Sequence, residues 1–548
     1  MQNRASAWLI VVSAVVGSII AIPVSGEQIS IDGALALTGT VKYAPDQYMA
    51  QFHFLWWTAV NQLCAALLWL GIKQSIVAVA PAVIAIGILT SGLAMLIFGL
   101  TKNPVISFLA AIFCVCTGTL TPLFSSPDFG AYGGRGILSG PIGYSAIYGM
   151  SAGALSSFSI GALSAGRNTL GGISAGILIS VHPVMGAFVV GMMLALLVLK
   201  NLVINDLSTK GLAKGLLIGC ALSALSFAVF WIMKVPSIGE VDQQDFATYL
   251  KVWDSHRATA MTLHNTIRVL VGTLLLFLMC VVMVAFSAGQ SWATAVTFIA
   301  LSTATSTFLY FSVHLIPQLL PQFVIRAIPG RFLDVHAYVA GPFLIGFALS
   351  LSPYFFKLSK ASQAKPSQAK PPYVMLAALV LLWSPILPSQ TRSYLGSVEK
   401  WISTHSHYDD PFWQKVRNLE DVGPVLASQT AYYHAVRYGH LAAVFDPGDF
   451  DFTAYLPHIV KQTRHYIERG FGVSFENPPA GMRNRPNLGP DGGREYWQQM
   501  SEIEWNNVVR ELGFLAVIAP SEWKINLPVR LRSNEFSLYE IRGIRQSP

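Results

Sequence analysis

The chain has 548 residues, 53% of them hydrophobic and only 12% charged, with a mean hydropathy of +0.51 and a formal charge of +8. Charged residues make up about a quarter of an ordinary soluble domain, so this composition excludes one. The basic residues are spread over many loops rather than gathered on one stretch, which fits a membrane surface and anionic lipid and gives no footprint for nucleic acid.

Apolar runs long enough to cross about 30 Å of hydrocarbon as helices fall near residues 7–24, 52–72, 76–99, 104–122, 144–164, 169–183, 184–199, 213–233, 266–287, 291–313, 337–355 and 373–389. Runs of this length exclude a β-barrel. The expected fold class is a polytopic α-helical membrane protein of about 11 to 13 spans, residues 1–392, followed by a small extracytoplasmic α/β domain, residues 393–548. The first run follows a short basic start and reads as an uncleaved span.

Lysine and arginine in short loops set the orientation. Lys200, Lys210 and Lys214 share one loop, Arg167 lies in another, and Lys357, Lys360, Lys365 and Lys370 mark the linker before the last span. If these are cytoplasmic, segments 123–143, 234–265 and 314–336, the His182-Pro183 turn and the tail all lie outside. With Arg4 inside, twelve crossings would put the tail in the cytoplasm. One candidate must therefore be re-entrant or lie in the interface, and the region 52–99, where Asn61, Gln62 and Lys73 interrupt the apolar pattern, is the expected place.

All five cysteines fall in apolar runs and none in the tail, so a disulfide-stapled tail is excluded and the thiols read as small core residues. The tail itself reads as strands at 423–428, 440–446, 514–522 and 535–541, with amphipathic helices at 453–470 and 494–513. This alternation favours a partly parallel sheet. Between the helices, the Pro, Gly and Asn-rich stretch 475–493, with Arg483 and Arg485, reads as a solvated loop.

Chemistry is expected in the outer loops. In the first, Asp46 stands among Tyr43, Tyr48, Phe52, Trp56 and Trp57, the composition of an aromatic belt, where a carboxylate serves as a general base, holds a divalent cation or simply caps a helix. The loop 314–336 carries Arg326, Arg331 and His336 in apolar, Pro-rich surroundings; the arginines suit a phosphate or diphosphate, with interfacial snorkelling as the alternative. Segment 234–265, with His256, Arg257 and His264, reads as an amphipathic helix lying in the interface with solvated histidines, the alternative being a metal site from His256 and His264, two helical turns apart. Arg135 sits in a Gly-rich stretch that lacks a phosphate-loop pattern, and His182 is an ionisable group at membrane depth, either functional or a satisfied turn residue.

YAPDQYMAQF (43–52), AGRNTLGGISAGILISVHPVMG (165–186), RAIPGRFLDVH (326–336) and the terminal α/β domain together resemble the GT-C membrane glycosyltransferases. The resemblance implies a polyprenyl-phosphate-linked sugar donor, a glycan, lipid or protein acceptor, chemistry at the extracytoplasmic face of the bilayer, and Asp46 as base or ligand to a divalent metal (Mg or Mn). Arg326, Arg331, His336, Arg135, His182, His256 and Arg257 are the candidate substrate-binding residues read from the loops themselves. No Asp-X-Asp or Glu-X-Asp pair occurs in the first loop. The tail lacks the WWDYG-type signature of the oligosaccharyltransferase branch, so transfer to asparagine is not expected. A lipid-linked oligosaccharide polymerase or ligase, or a transporter, are the alternatives.

Overall fold

A computed structural model describes residues 2–44, 47–55, 58–118, 147–201, 209–232, 240–254, 263–285, 290–316, 319–321, 332–359, 372–374, 376–377, 380, 387–403, 407–419 and 422–541. Its first part is helical: α1 (Gln2–Ala21), α2 (Ser30–Leu37), α3 (Tyr48–Leu55), α4 (Ala59–Trp69), α5 (Gln74–Thr101), α6 (Pro104–Thr117), α7 (Ile147–Ser164), α8 (Asn168–Val181), α9 (Pro183–Leu199) and α10 (Thr209–Ile232). Then follow α11 (Gln243–Val252), α12 (Leu263–Ala285), α13 (Ala293–Leu315), α14 (Asp334–Ser359) and α15 (Leu387–Ser403). Among the described residues, six helices are long and apolar enough to cross a membrane, in α1, α5, α10, α12, α13 and α14. The helices α4, α6, α8 and α9 are apolar but shorter. The run expected at 373–389 lies largely outside the described residues.

The helix ends sort into two groups. At one end Arg167 donates to the Ser6 hydroxyl, and Lys102 and Lys200 donate to Ser291 and Thr294. At the other, Tyr148 of α7 donates to Asn61 of α4 at 2.7 Å, and Gln62 donates to the Ser226 carbonyl of α10 at 3.0 Å. The candidate span 52–72 is therefore not one span. It divides into α3 and α4, and the 11 residues of α4 rise about 16 Å, half the hydrocarbon thickness. Its Cys64 and Ala65 join the same buried cluster as the tail. Asn61 and Gln62 do not themselves break the helix, which restarts upstream at the extended N-cap Thr58; their two amides bond across to α7 and α10.

Small residues let the helix backbones touch. A Cβ on Gly161 of α7 would stand 2.0 Å from the Gly92 carbonyl oxygen of α5, and one on Gly215 of α10 would stand 2.0 Å from the Thr169 carbonyl of α8. Such close backbone approach supports packing where lipid supplies no hydrophobic drive between helices. The thiols of Cys64, Cys114 and Cys280 are buried and none is in a disulfide.

The tail contains α16 (Pro411–Arg417), β1 (Val425–Ala427), α17 (Gln429–Arg437), α18 (Val460–His465), α19 (Arg494–Gln499), α20 (Glu502–Leu512), β2 (Ala516–Pro520), β3 (Val529–Arg532) and β4 (Phe536–Glu540). The sheet order is β1-β2-β4-β3, with β1 and β2 parallel and the other pairs antiparallel. Three expectations change. The strand expected at 440–446 reduces to one bridge, Val425 with Ala443, because His440 takes a left-handed φ of 55° and Pro447 ends the run. The helix expected at 494–513 breaks at the extended Met500, and Ser501 restarts it as N-cap in a capping box with Glu504. The helix expected at 453–470 begins as 3-10 turns, becomes α18 and closes as a π turn, Tyr466–Gly470, whose Arg469 and Gly470 carbonyls accept from Tyr496 and Trp497.

Gly161→Ala is expected to destabilise the helix bundle by about 1–3 kcal/mol through overpacking. Gly191→Ala, where a Cβ meets nothing within 4 Å, should be neutral or slightly stabilising. Thermal unfolding of the two purified variants in one detergent checks this; equal melting points would refute the close-contact account.

Candidate functional site at the junction of the first loop and the tail

The tail is docked on the first loop, and the two share one buried cluster that includes Ile31, Leu35, Val41, Tyr48, Phe445, Phe450 and Phe471. At its centre Arg437, the last residue of α17, makes a bidentate ion pair with Asp32 of α2: Nε to Oδ1 at 2.7 Å and Nη2 to Oδ2 at 2.9 Å. Both side chains are almost fully enclosed, at 5% and 2% exposure. Glu27 lies 3.7 Å from the same guanidinium and accepts from the Tyr438 hydroxyl at 2.7 Å, and the Tyr433 ring lies under the guanidinium at 4.8 Å. Burial alone would lower the pKa of Arg437, but the charges of Asp32 and Glu27 outweigh it and hold the pKa above its ordinary value.

Further anchors follow along the first loop. Tyr48 packs its ring at 5.4 Å from both Phe445 and Tyr466, and its hydroxyl lies 3.1 Å from Thr463 Oγ1. Gln51 lies 3.0 Å from His458 Nε2. Tyr43 and Tyr48 thus do not form part of a headgroup belt: Tyr48 is buried, Tyr43 is half-buried, and both pack on the core shared with the tail. Burial raises the hydroxyl pKa of both, with the charge of Asp32 adding for Tyr43.

The α11 segment is docked as well. Trp253, completely buried, donates from Nε1 to the Phe475 carbonyl at 2.8 Å; Tyr249 donates to the Phe450 carbonyl at 2.9 Å. Asp245 of α11 takes Arg464 at 2.7 Å, and Glu468 and Glu476 flank the same guanidinium. The apolar face that suggested an interfacial helix is covered by protein. The 475–493 stretch is correspondingly not a free loop. Asn484 N donates to the Val252 carbonyl, Phe450 N to that of Pro486 and Leu488 N to that of Pro447, while Arg483 and Arg485 stay exposed.

Between α3, α11 and α18 runs an open groove of about 720 Å³. Gln51 forms one wall, Glu240 and Asp245 a second, and the tail from His458 to Glu468 the third. Burial lowers the pKa of His458, so its ring there is neutral near pH 7. Deeper in the tail, Asp446 accepts from the backbone N–H groups of Gly448 and Asp449; burial, with the charge of Asp32 adding, raises its pKa well above the usual range.

Of the residues singled out from sequence, His182 is buried and caps α9, its Nδ1 accepting from Met185 N at 3.4 Å. His336 is completely buried in the first turns of α14. Neither lines the groove. Asp46, Arg135, His256, Arg257, Arg326 and Arg331 lie outside the described residues, as do the side chains of Phe52, Trp56, Trp57 and His264. Among the described residues, no three His, Cys, Asp or Glu side chains converge as a metal donor set. Sequence reasoning missed Arg437 and the groove wall at 458–468. The only local signal for the former was the amphipathic run after Ser428, with nothing to indicate its partner.

No protein-family model matches the sequence, and no curated protein does. The chain is similar to solved archaeal oligosaccharyltransferases. That of Archaeoglobus fulgidus in its apo form aligns over 94% of this chain and 69% of that one, at 11% identity and a TM-score of 0.48. The A. fulgidus oligosaccharyltransferase AglB with an inhibitory peptide and a dolichol-phosphate gives the same coverage and identity at 0.41. The A. fulgidus enzyme with Zn and sulfate aligns over 93% and 68% at 12% identity and 0.42. A likeness at this level assigns no activity or residue role.

Removing one member of the buried pair, as in Arg437→Ala, should cost about 3–5 kcal/mol and loosen the tail, because Asp32 is left charged and enclosed. Replacing both, as in Arg437→Met with Asp32→Leu, should recover most of that loss. Limited proteolysis and chemical unfolding of the full chain measure both. Burial, with the charges of His407 and Arg437 adding, pulls His434 down from 6.5 to about 4; burial, with that of Arg417 adding, does the same to His440. Unfolding therefore takes up protons between these values, so their contribution to stability is intact above pH 6.5 and is lost as pH falls toward 4. Asp446 acts in the opposite sense, so the comparison is between wild type and His434→Gln, whose stability should fall less over that window.

Proposed function

We propose that the chain is a membrane glycosyltransferase that moves a sugar from a polyprenyl-phosphate-linked donor to an acceptor at the face of the bilayer where the tail docks. The observation that carries this reading is the junction itself. The first loop, the 240–254 segment and the tail, three segments that loop charge assigns to one side, are tied together by buried polar contacts and leave a groove between them. The opposite end gathers Lys102, Arg167 and Lys200, which the positive-inside bias assigns to the cytoplasm, and this supports an extracytoplasmic tail. On this reading the body, residues 1–392, crosses an odd number of times within the range of 11 to 13, and residues 393–548 form the extracytoplasmic part.

Asp46 is the proposed base. In the chain it falls between Val41 and Tyr43 on one side and Tyr48 and Met49 on the other, all of which pack on the core shared with the tail. The acceptor hydroxyl gives its proton to the Asp46 carboxylate as its oxygen bonds to the anomeric carbon. The bond from that carbon to the phosphate oxygen breaks, and the lipid phosphate leaves with the electron pair. Arg326 and Arg331 meet the charge that develops there, which is the larger contribution to rate because the phosphate is already a good leaving group. A divalent cation, if bound, would add charge stabilisation at the same point.

Transfer from radiolabelled polyprenyl-phosphate sugars by the full chain in nanodiscs tests this. Wild type should transfer sugar, while Asp46→Asn and Arg326→Ala should lose at least about 100-fold, on the scale of one general base or one charge-stabilising donor. Undiminished transfer in Asp46→Asn would move the base elsewhere. No turnover of any donor would refute the glycosyltransferase reading.

A further inference from the structure

The groove between α3, α11 and α18 has a chemistry that separates the donor from the acceptor. All nine side chains that line it among the described residues are polar or charged. Three are carboxylates, Glu240, Asp245 and Glu468, set against Lys461 and Arg464. Arg464 is committed to Asp245 at 2.7 Å, Glu468 at 3.2 Å and Glu476 at 3.3 Å. A phosphate or diphosphate entering here would meet more negative than positive charge, so the groove does not suit the donor's head. Among the described residues its lining includes no Leu, Ile, Val, Met, Phe, Tyr or Trp, so its apolar surface comes from the methylene stems and imidazole rings of polar side chains rather than from a hydrocarbon slot for an isoprenoid or acyl tail.

What the groove does offer is a high density of planar groups with paired donors or acceptors. Gln462 presents a carboxamide, Glu240 a carboxylate fork and His465 an imidazole, and the remaining lone pairs of the Arg464-bound carboxylates and of Gln51, paired with His458, add acceptors. Vicinal hydroxyls of a sugar, each both donor and acceptor, match such forks two at a time. The volume of about 720 Å³ falls within the range of about 300–1,000 Å³ of small-ligand pockets. The walls are also fixed before any ligand arrives. His458 to Gln51 ties the tail to α3, and Arg464 to Asp245 ties it to α11, so little ordering cost remains for the ligand to meet.

We propose that this groove binds the acceptor, and that the acceptor is a neutral glycan rather than a lipid or a peptide. The assignment rests on the transferase reading for the word acceptor, whereas glycan binding stands independently of it. Gln51 lies five residues after Asp46 in the chain, so the groove and the proposed base belong to neighbouring parts of one loop sequence.

The test uses the full chain in nanodiscs and two separate readouts. The first is binding of a panel of fluorescent neutral tetrasaccharides, built from gluco-, galacto-, manno- and N-acetylhexosamine units, to wild type and to Lys461→Ala with Gln462→Ala. Both residues are exposed, so the double variant should fold normally. At least one tetrasaccharide should bind wild type and bind the variant 10-fold or more weakly, and inorganic pyrophosphate should not compete. The second is donor turnover with that tetrasaccharide as acceptor, where the variant should raise the acceptor KM about 10-fold and leave the donor KM unchanged. If no tetrasaccharide binds, or if pyrophosphate or an unglycosylated peptide binds in the groove instead, the glycan assignment is overturned. Glycan binding that the variant weakens, without turnover of any donor, would keep the groove as a glycan site and refute the transferase reading alone.

Discussion

The architecture of the junction depends on one enclosed ion pair. Asp32 and Arg437 are each too polar to be buried alone, and the bidentate geometry lets each answer the other's desolvation. Their net contribution to stability is smaller than the cost of breaking them, so the pair acts chiefly as a register mark. Of the ways in which an apolar tail surface could settle on an apolar loop, only those that bring this carboxylate to this guanidinium avoid a stranded charge. Glu27 and Tyr438 at one side, and Tyr43 and Asp446 near Asp32, extend the same constraint into a polar network at the heart of an otherwise apolar contact.

Once that register is set, the remaining contacts follow from it. α2 is fixed through Asp32, and α3 through Tyr48 and Gln51. α11 reaches the same tail from a third direction through Tyr249 and Trp253, each giving its single buried donor to a tail carbonyl. The groove is the space these three attachments leave, which explains why its lining is polar. Tyr48 and Met49 of α3, Phe246 and Tyr249 of α11 and Val460 of α18 are spent on the shared core, and the described residues left lining the groove are those that the amphipathic pattern assigns to water.

The amino-acid sequence made the membrane body plain, since twenty-residue apolar runs are a one-dimensional signal. It also marked the amides Asn61 and Gln62 as out of place in an apolar run, and it showed the mixed sheet through the alternation of strand and helix. The capping box of Ser501 and Glu504 was readable as a break between α19 and α20, yet the apolar periodicity across it is continuous and masked it. What was not legible is the docking. Tyr43 and Tyr48 beside an apolar run look like an aromatic belt, and Trp253 on an amphipathic helix looks interfacial, because lipid and a packed protein surface select the same side chains. Arg437 finds its partner 405 positions away, a separation at which local pattern carries no information.

That separation has a consequence for how the protein is made. At about 5–20 residues per second, roughly 20–80 s pass between synthesis of Asp32 and synthesis of Arg437. Throughout that time the first loop stands finished but without the surface it belongs to, while every later membrane helix is threaded past it. A nascent chain stalled anywhere in this interval displays a carboxylate and an apolar flank that only the last quarter of the sequence can cover. Truncated products of this protein should therefore be recognisable to cellular quality control by their first loop, long before any defect in the tail itself could be sensed.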